Sequence, residues 1–202
     1  MYIQKKALAV HDISCVGRCS LTVALPIMSA AGIETSVLPT AMLSTHTGGF
    51  EGYTFKDLTD ELEPVCAHWK ALNRKYDCIY SGYLGSDQQI DIVERLLGDF
   101  SSEGGIKVVD PVMGDSGKFY SLFDEEFAKK MAKLCSKADL IIPNLTEASF
   151  MLKIPYRESY DEEYIKWLLR ELTGLGCKKA ALTGISFEED KIGVYSYNSE
   201  TD

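Results

Sequence analysis

The sequence predicts an α/β protein with a mostly parallel central sheet covered by helices on both faces. Three observations carry that prediction. Short apolar runs recur along the chain, and amphipathic stretches at helical spacing lie between them. The loops that follow the runs hold the glycines, hydroxyls and carboxylates, as expected where ligands bind at the carboxyl ends of parallel strands.

The strands are read in order. Residues 7–10, 36–38, 78–80, 108–109, 140–142 and 180–182 are short apolar runs, and the fourth extends back to Ile106 as a β-branched segment. Residues 20–31, rich in Leu, Ala and Met, predict the first helix. Residues 87–97 place Ile90, Val93, Leu96 and Leu97 on one face, and residues 125–137 do the same with Phe127, Met131, Leu134 and Cys135. Residues 160–172 add another helix. Residues 191–197 read as one strand of a hairpin, followed by the turn-prone residues 198–202. A terminal strand that joins the sheet edge and a chain cut inside a hairpin fit that pattern equally. No internal repeat and no linker interrupts the order, so residues 1–202 are expected to form a single domain.

Composition narrows the function. The chain has 202 residues, 46% hydrophobic and 25% charged, which is ordinary globular composition. Its net charge of -9 leaves no basic footprint for nucleic acid and disfavours an anionic membrane. Lys5 and Lys6 precede only four apolar residues, too few for a signal-peptide core or a membrane span, so a cytoplasmic location is expected. Six scattered cysteines then imply reduced thiols. Cys15 and Cys19 lie four apart with no further ligands to complete a zinc site.

Four loops carry the candidate chemistry. Residues 43–52 combine hydroxyls, His46, Thr47 and three glycines, Gly48, Gly49 and Gly52, suited to closing over a small ligand; the plainer reading is a polar loop. Residues 81–86 follow a strand and precede a helix capped by Ser86 or Asp87, with Tyr83 placed to stack on an aromatic ligand or to pack in the core. Asp110 and Asp115 sit five apart where the 106–109 strand ends, with Pro111 and Gly114 shaping the turn. They suit a nucleotide-bound metal, or an acidic turn that bonds its own backbone. Asn144 and Glu147 have capping-box spacing, and the helix start they cap presents backbone N–H groups to phosphate while the carboxylate can hold a metal-bound water. No P-loop and no dinucleotide fingerprint occurs.

Residues 11–20, 44–48, 81–86, 110–115 and 143–147 together, in this order and across essentially the whole chain, resemble the pyridoxal kinases of the ribokinase-like superfamily. The resemblance implies a ribokinase-like three-layer α/β/α sandwich and transfer of the ATP γ-phosphoryl to the hydroxymethyl group of pyridoxal, pyridoxine or pyridoxamine. It implies that Thr47 and His46 contact the pyridine and that Tyr83 packs against its ring. Asp12 stands where pyridoxal kinases usually carry Ser, and the related hydroxymethylpyrimidine kinases carry an Asp nearby, so that substrate is the rival. Asp110, Asn144, Glu147 and Thr183 match nucleotide positions; Asp110, Asp115 and Glu147 match positions around Mg2+; Tyr120 matches a lid residue. A monovalent cation such as K+ stays open. Family members are commonly homodimers.

One expected part is missing. The family's catalytic base is an Asp in a Gly-x-Gly-Asp turn that also forms the anion hole, and no such motif occurs here; Gly98-Asp99 lacks the first glycine. Loss of a base costs about 10²- to 10⁴-fold and loss of an anion-hole donor about 10²- to 10³-fold. The chain therefore reads as the amino-terminal two-thirds of a kinase, nearly inactive alone, with no catalytic residue to name and with apolar surface exposed. A non-catalytic pyridine-binding protein is the competing expectation.

Overall fold

A computed structural model describes residues 4–47 and 50–201. The chain divides after Lys107 into two compact units. In the first, β1 (Lys6–Ser14), α1 (Leu21–Ala30), β2 (Glu34–Leu43), β3 (Phe55–Asp57), α2 (Thr59–Ala71), β4 (Tyr76–Ser81) and α3 (Asp87–Phe100) follow one another. The strand β5 (Ser101–Val109) spans the division.

The centre of the first unit is β1, which pairs in parallel with β2 on one side and β4 on the other. Ala7, Leu8, Ala9 and Val10 are all fully buried, the signature of a parallel strand covered on both faces. Small and branched side chains let helices approach closely there. The short β3 pairs antiparallel with β2 through Ala41↔Asp57 and Leu43↔Phe55. Between His11 and Ile13 the β1/β2 register slips, with His11 opposite Pro39 and Ile13 opposite Met42. The extra residue is on β2, where Thr40 and Ala41 together stand opposite Asp12.

Helix α3 shows why the sequence folds as it does. Ser86 caps it by accepting from the Gln89 N–H, and Ile90, Val93, Leu96, Leu97 and Phe100 fall on one buried face. The expected helix over residues 20–31 is α1, and the expected strands at 7–10, 36–38 and 78–80 are the cores of β1, β2 and β4. Helix α2 and strand β3 are additions.

The second unit contains β6 (Gly114–Asp115), β7 (Lys118–Phe119), α4 (Glu125–Cys135), β8 (Leu140–Ile141), α5 (Leu145–Leu152), α6 (Glu162–Gly174), β9 (Lys179–Ile185) and β10 (Gly193–Asn198). The last residues of β5 pair in parallel with β8, and β8 with β9. Met131, Leu134, Ile141, Ala148, Ile165, Leu168, Ala180 and Leu182 form its fully buried core. The terminal strand of the sequence reading is β10, and its hairpin partner is β9, which precedes it. The turn expected after it runs to Asp202, which lies outside the described residues. Helix α6 begins at Glu162, two residues later than the apolar periodicity suggests, because Asp161 caps it through the Tyr164 N–H.

Candidate functional site

In the first unit the candidate residues lie near the end of β1, where Asp12 sits, and just beyond the carboxyl ends of β2 and β4. Asp12 is buried, and its carboxylate accepts from Ser14 Oγ (3.0 Å) and from Ser20 Oγ. Ser20 stands at the N-cap of α1 in a left-handed conformation, φ +52°, yet makes no side-chain cap. Its hydroxyl is committed to Asp12 instead. The carboxylate thus organises the 14–20 loop.

The 44–54 loop is tied down at both ends. Ser44 and Thr54 exchange bonds, with Thr54 N donating to Ser44 Oγ at 2.8 Å, and His46 N donates to the Val16 carbonyl at 3.0 Å. The half-buried His46 ring meets Phe50 edge-on at 5.1 Å, while Thr47 is exposed. Gly48 and Gly49, part of the same expected motif, lie outside the described residues. Tyr83 is half-buried, and burial, then the nearby charges of Asp12 and Asp57, push its phenol up to about 12. It is a neutral hydrogen-bonding group at any physiological pH.

His11 had no separate role in the sequence reading. It is buried at 4% exposure, bonds the Tyr80 backbone, and meets the Tyr80 ring edge-on at 4.3 Å. Burial pulls its imidazole down to about 4, so it is neutral. Gly82 makes this seat possible, because a Cβ there would lie 2.2 Å from His11 Nδ1.

In the second unit the site is built on Glu147. Asn144 and Glu147 close a full capping box: Glu147 N donates to Asn144 Oδ1 (2.9 Å) and Asn144 N donates to Glu147 Oε2 (2.8 Å). The other carboxylate oxygen accepts from Met113 N at 3.2 Å, and Asn144 Nδ2 donates to the Gly114 carbonyl at 2.8 Å. One helix start therefore anchors the whole Asp110 to Asp115 turn. Glu147 is 3% exposed; burial, then the Asp110 carboxylate, raises it from 4.5 to about 8 against the pull of three backbone N–H groups.

Asp115 sits at the exposed tip of the β6–β7 hairpin, where its Oδ1 accepts from Ser116 N at 2.8 Å. The hairpin is fixed to α5 by Gly117 N donating to Thr146 Oγ1 (2.9 Å) and by Phe119 stacked on Phe150 with ring centres 3.8 Å apart. Tyr120 N donates to the Met113 carbonyl, and its phenol is raised by burial and then by the Glu147, Asp115 and Asp110 charges. Thr183 bridges to Asn144 in parallel fashion, with its N–H and its hydroxyl both directed to the Pro143 carbonyl, the latter at 3.4 Å.

The fold thus gathers Asp110, Asn144, Glu147, Tyr120 and Thr183, with Asp115 on an adjoining hairpin. No group of three His, Cys, Asp or Glu side chains stands ready as a metal cage among the described residues. Sequence reasoning missed Thr146 and Ser20, although both lie within the quoted motifs. Their hydroxyls act on backbone and side chains brought close only by folding.

Comparison with known proteins agrees in two ways. The family model described as phosphomethylpyrimidine kinase matches residues 28–201. A structure from Bacteroides thetaiotaomicron assigned as a phosphomethylpyrimidine kinase and crystallised with pyridoxal is 44% identical, with a TM-score of 0.91 over 98% of this chain and 70% of that one. The pyridoxal kinase from Lactobacillus plantarum is 33% identical, with a TM-score of 0.87 over 98% and 70%. The pyridoxal kinase of Dictyostelium discoideum is 26% identical over 92% of this chain. The chain spans less than two thirds of the length of the curated relatives it matches, 62% for that protein.

Proposed function

Since the chain belongs to the phosphomethylpyrimidine kinase family, we propose that it serves ATP-dependent phosphorylation of the hydroxymethyl group of a vitamin B6 vitamer: pyridoxal, pyridoxine or pyridoxamine. The observation that carries this reading is the 44% identity to a structure holding pyridoxal. Thr47, His46 and Tyr83, with Asp12 behind them, are the proposed contacts of the pyridine ring.

The second unit is proposed to take the nucleotide. Asn144 and Thr183 would face phosphate oxygens at the start of α5, where free N–H groups favour anions. Mg2+ fits the residues present, because Glu147, buried and beside the Asp110 carboxylate, holds a proton up to about pH 8, burial being the larger cause and the neighbouring charge the second. A divalent cation would replace that proton, with Asp110, Asp115 and Glu147 as its holders, directly or through water. It would supply neutralisation of phosphate charge for the transfer, in which the acceptor oxygen attacks and the bond to the ADP oxygen breaks. The attacking hydroxyl must also lose its proton, and the sequence has no Gly-x-Gly-Asp to receive it. Ligand binding by the purified chain with turnover reduced about 10²-fold or more is therefore the expected behaviour. A homodimer in the cytoplasm, and any need for K+, belong to the same proposal. No helix among the described residues is long and apolar enough to cross a membrane.

The rival acceptor is hydroxymethylpyrimidine, favoured by the family's name and by Asp12. Titration with the three vitamers and with hydroxymethylpyrimidine, followed by an ATP-dependent phosphorylation assay, separates the two. Binding or turnover of the pyrimidine with none of any vitamer sinks the B6 reading.

A further inference from the structure

Gln89 is fully buried at 0% exposure and satisfies three separate segments at once. Its Nε2 donates to the Thr40 carbonyl (3.0 Å) and to Thr59 Oγ1 (2.8 Å), and its Oε1 accepts from Gly85 N (2.8 Å). Thr40 lies in β2, Thr59 opens α2, and Gly85 lies in the loop after β4. A buried amide so completely used favours one arrangement of those segments, because any other leaves a donor or acceptor unpaired.

The local sequence suggests something simpler. Ser86 and Gln89 have capping-box spacing, and Ser86 Oγ does accept from Gln89 N at 3.3 Å. The Gln89 side chain, however, reaches one residue past the N-cap, to Gly85, and onward to β2 and α2. It ties tertiary structure together where a capping residue would serve only its own helix.

Tyr83 is held from both ends by this network. Its carbonyl accepts from Thr40 Oγ1 at 2.9 Å, and its ring lies over Gly85, where an added Cβ would come 3.4 Å from the phenol oxygen. The two residues that fix Tyr83, Thr40 and Gly85, are the two whose backbones Gln89 grips.

We propose that Gln89 is a positioning residue that sets the aim of the Tyr83 ring and, through it, affinity for the aromatic acceptor. This rests on the proposed function, since it assumes that Tyr83 meets the acceptor. It adds a residue outside every motif that carries the family resemblance.

The test is a double-mutant cycle on the purified chain, read by pyridoxine titration and, in parallel, by ATP titration. Gln89→Met is expected to weaken pyridoxine binding about tenfold while ATP affinity stays within roughly twofold. In a Tyr83→Ala background the Gln89 effect should disappear. A merely structural role would move both ligands or add fully to Tyr83→Ala, and either result overturns the proposal. Thr40→Val, which leaves Gln89 in place and removes the bond to the Tyr83 carbonyl, should reproduce part of the pyridoxine loss. It carries the same cycle should Gln89→Met fail to fold. Wild-type chain that binds no pyridoxine removes the functional reading and this inference together; normal wild-type binding with no change in either variant removes this inference alone.

Discussion

Glu147 illustrates how one side chain joins stability to chemistry. Its carboxyl titrates at about 8 in the fold against 4.5 ordinarily, so the folded state holds a proton that the unfolded chain releases. The stability this provides is fully present below pH 4.5 and is lost as pH rises through about 8, an effect on the order of 5 kcal/mol. Thermal melts without divalent cation should therefore fall between pH 5 and pH 8.5, and Mg2+ should recover the loss at the upper end. Glu147→Gln, which keeps a capping side chain, should flatten the pH profile and abolish the Mg2+ gain. Equal Mg2+ stabilisation of both proteins at pH 8.5 would remove Glu147 from the cation's surroundings. At this scale the sequence was readable where spacing is local, as for Asn144 with Glu147. It was silent where partners are distant: that Asp12 spends its carboxylate on Ser14 and Ser20, and that Gln89 grips Thr40, depend on contacts made by the fold.

At the level of elements, α5 and the β6–β7 hairpin form a unit held by side-chain bonds to backbone. Asn144→Ala removes both the cap and the bond to the Gly114 carbonyl and should cost about 1–2 kcal/mol in denaturant unfolding. Asn144→Asp keeps the capping oxygen, loses the donor to Gly114, and should cost less; equal losses would mean that the cap contributes nothing, and no loss in Asn144→Asp that the Gly114 bond contributes nothing. Gly117 sits at φ +73° with Tyr156 so near that a Cβ would lie 2.6 Å from its ring, so Gly117→Ala should destabilise the same hairpin by about 1–3 kcal/mol. The hairpin escaped the sequence reading because each of its strands is two residues long and offers no alternation. Helix α2 escaped for another reason: Leu62, Val65, Cys66 and Trp69 have helical spacing, but Pro64 interrupts them. The longer strands were legible where they carry apolar runs, residues 7–10 in β1 and 180–182 in β9.

For the molecule as a whole, the α/β class with mostly parallel pairing followed from strand and helix alternation, and the ribokinase-like assignment followed from five short motifs in order. The division after Lys107 has no signal in composition, since no linker marks it. The candidate residues fall on either side of that division, the proposed acceptor loops in the first unit and the proposed nucleotide loops in the second. Hydrogen exchange should accordingly show pyridoxine protecting residues 81–86, and Mg2+ with ATP protecting residues 110–120 and 143–147. Protection of the same peptides by both ligands would contradict that partition. The His11 ring occupying the space beside Gly82 has a consequence for inheritance. Two positions 71 apart in the sequence share one volume, so position 82 cannot drift alone: a lineage that acquires a side chain at 82 must first, or at once, surrender the imidazole at 11.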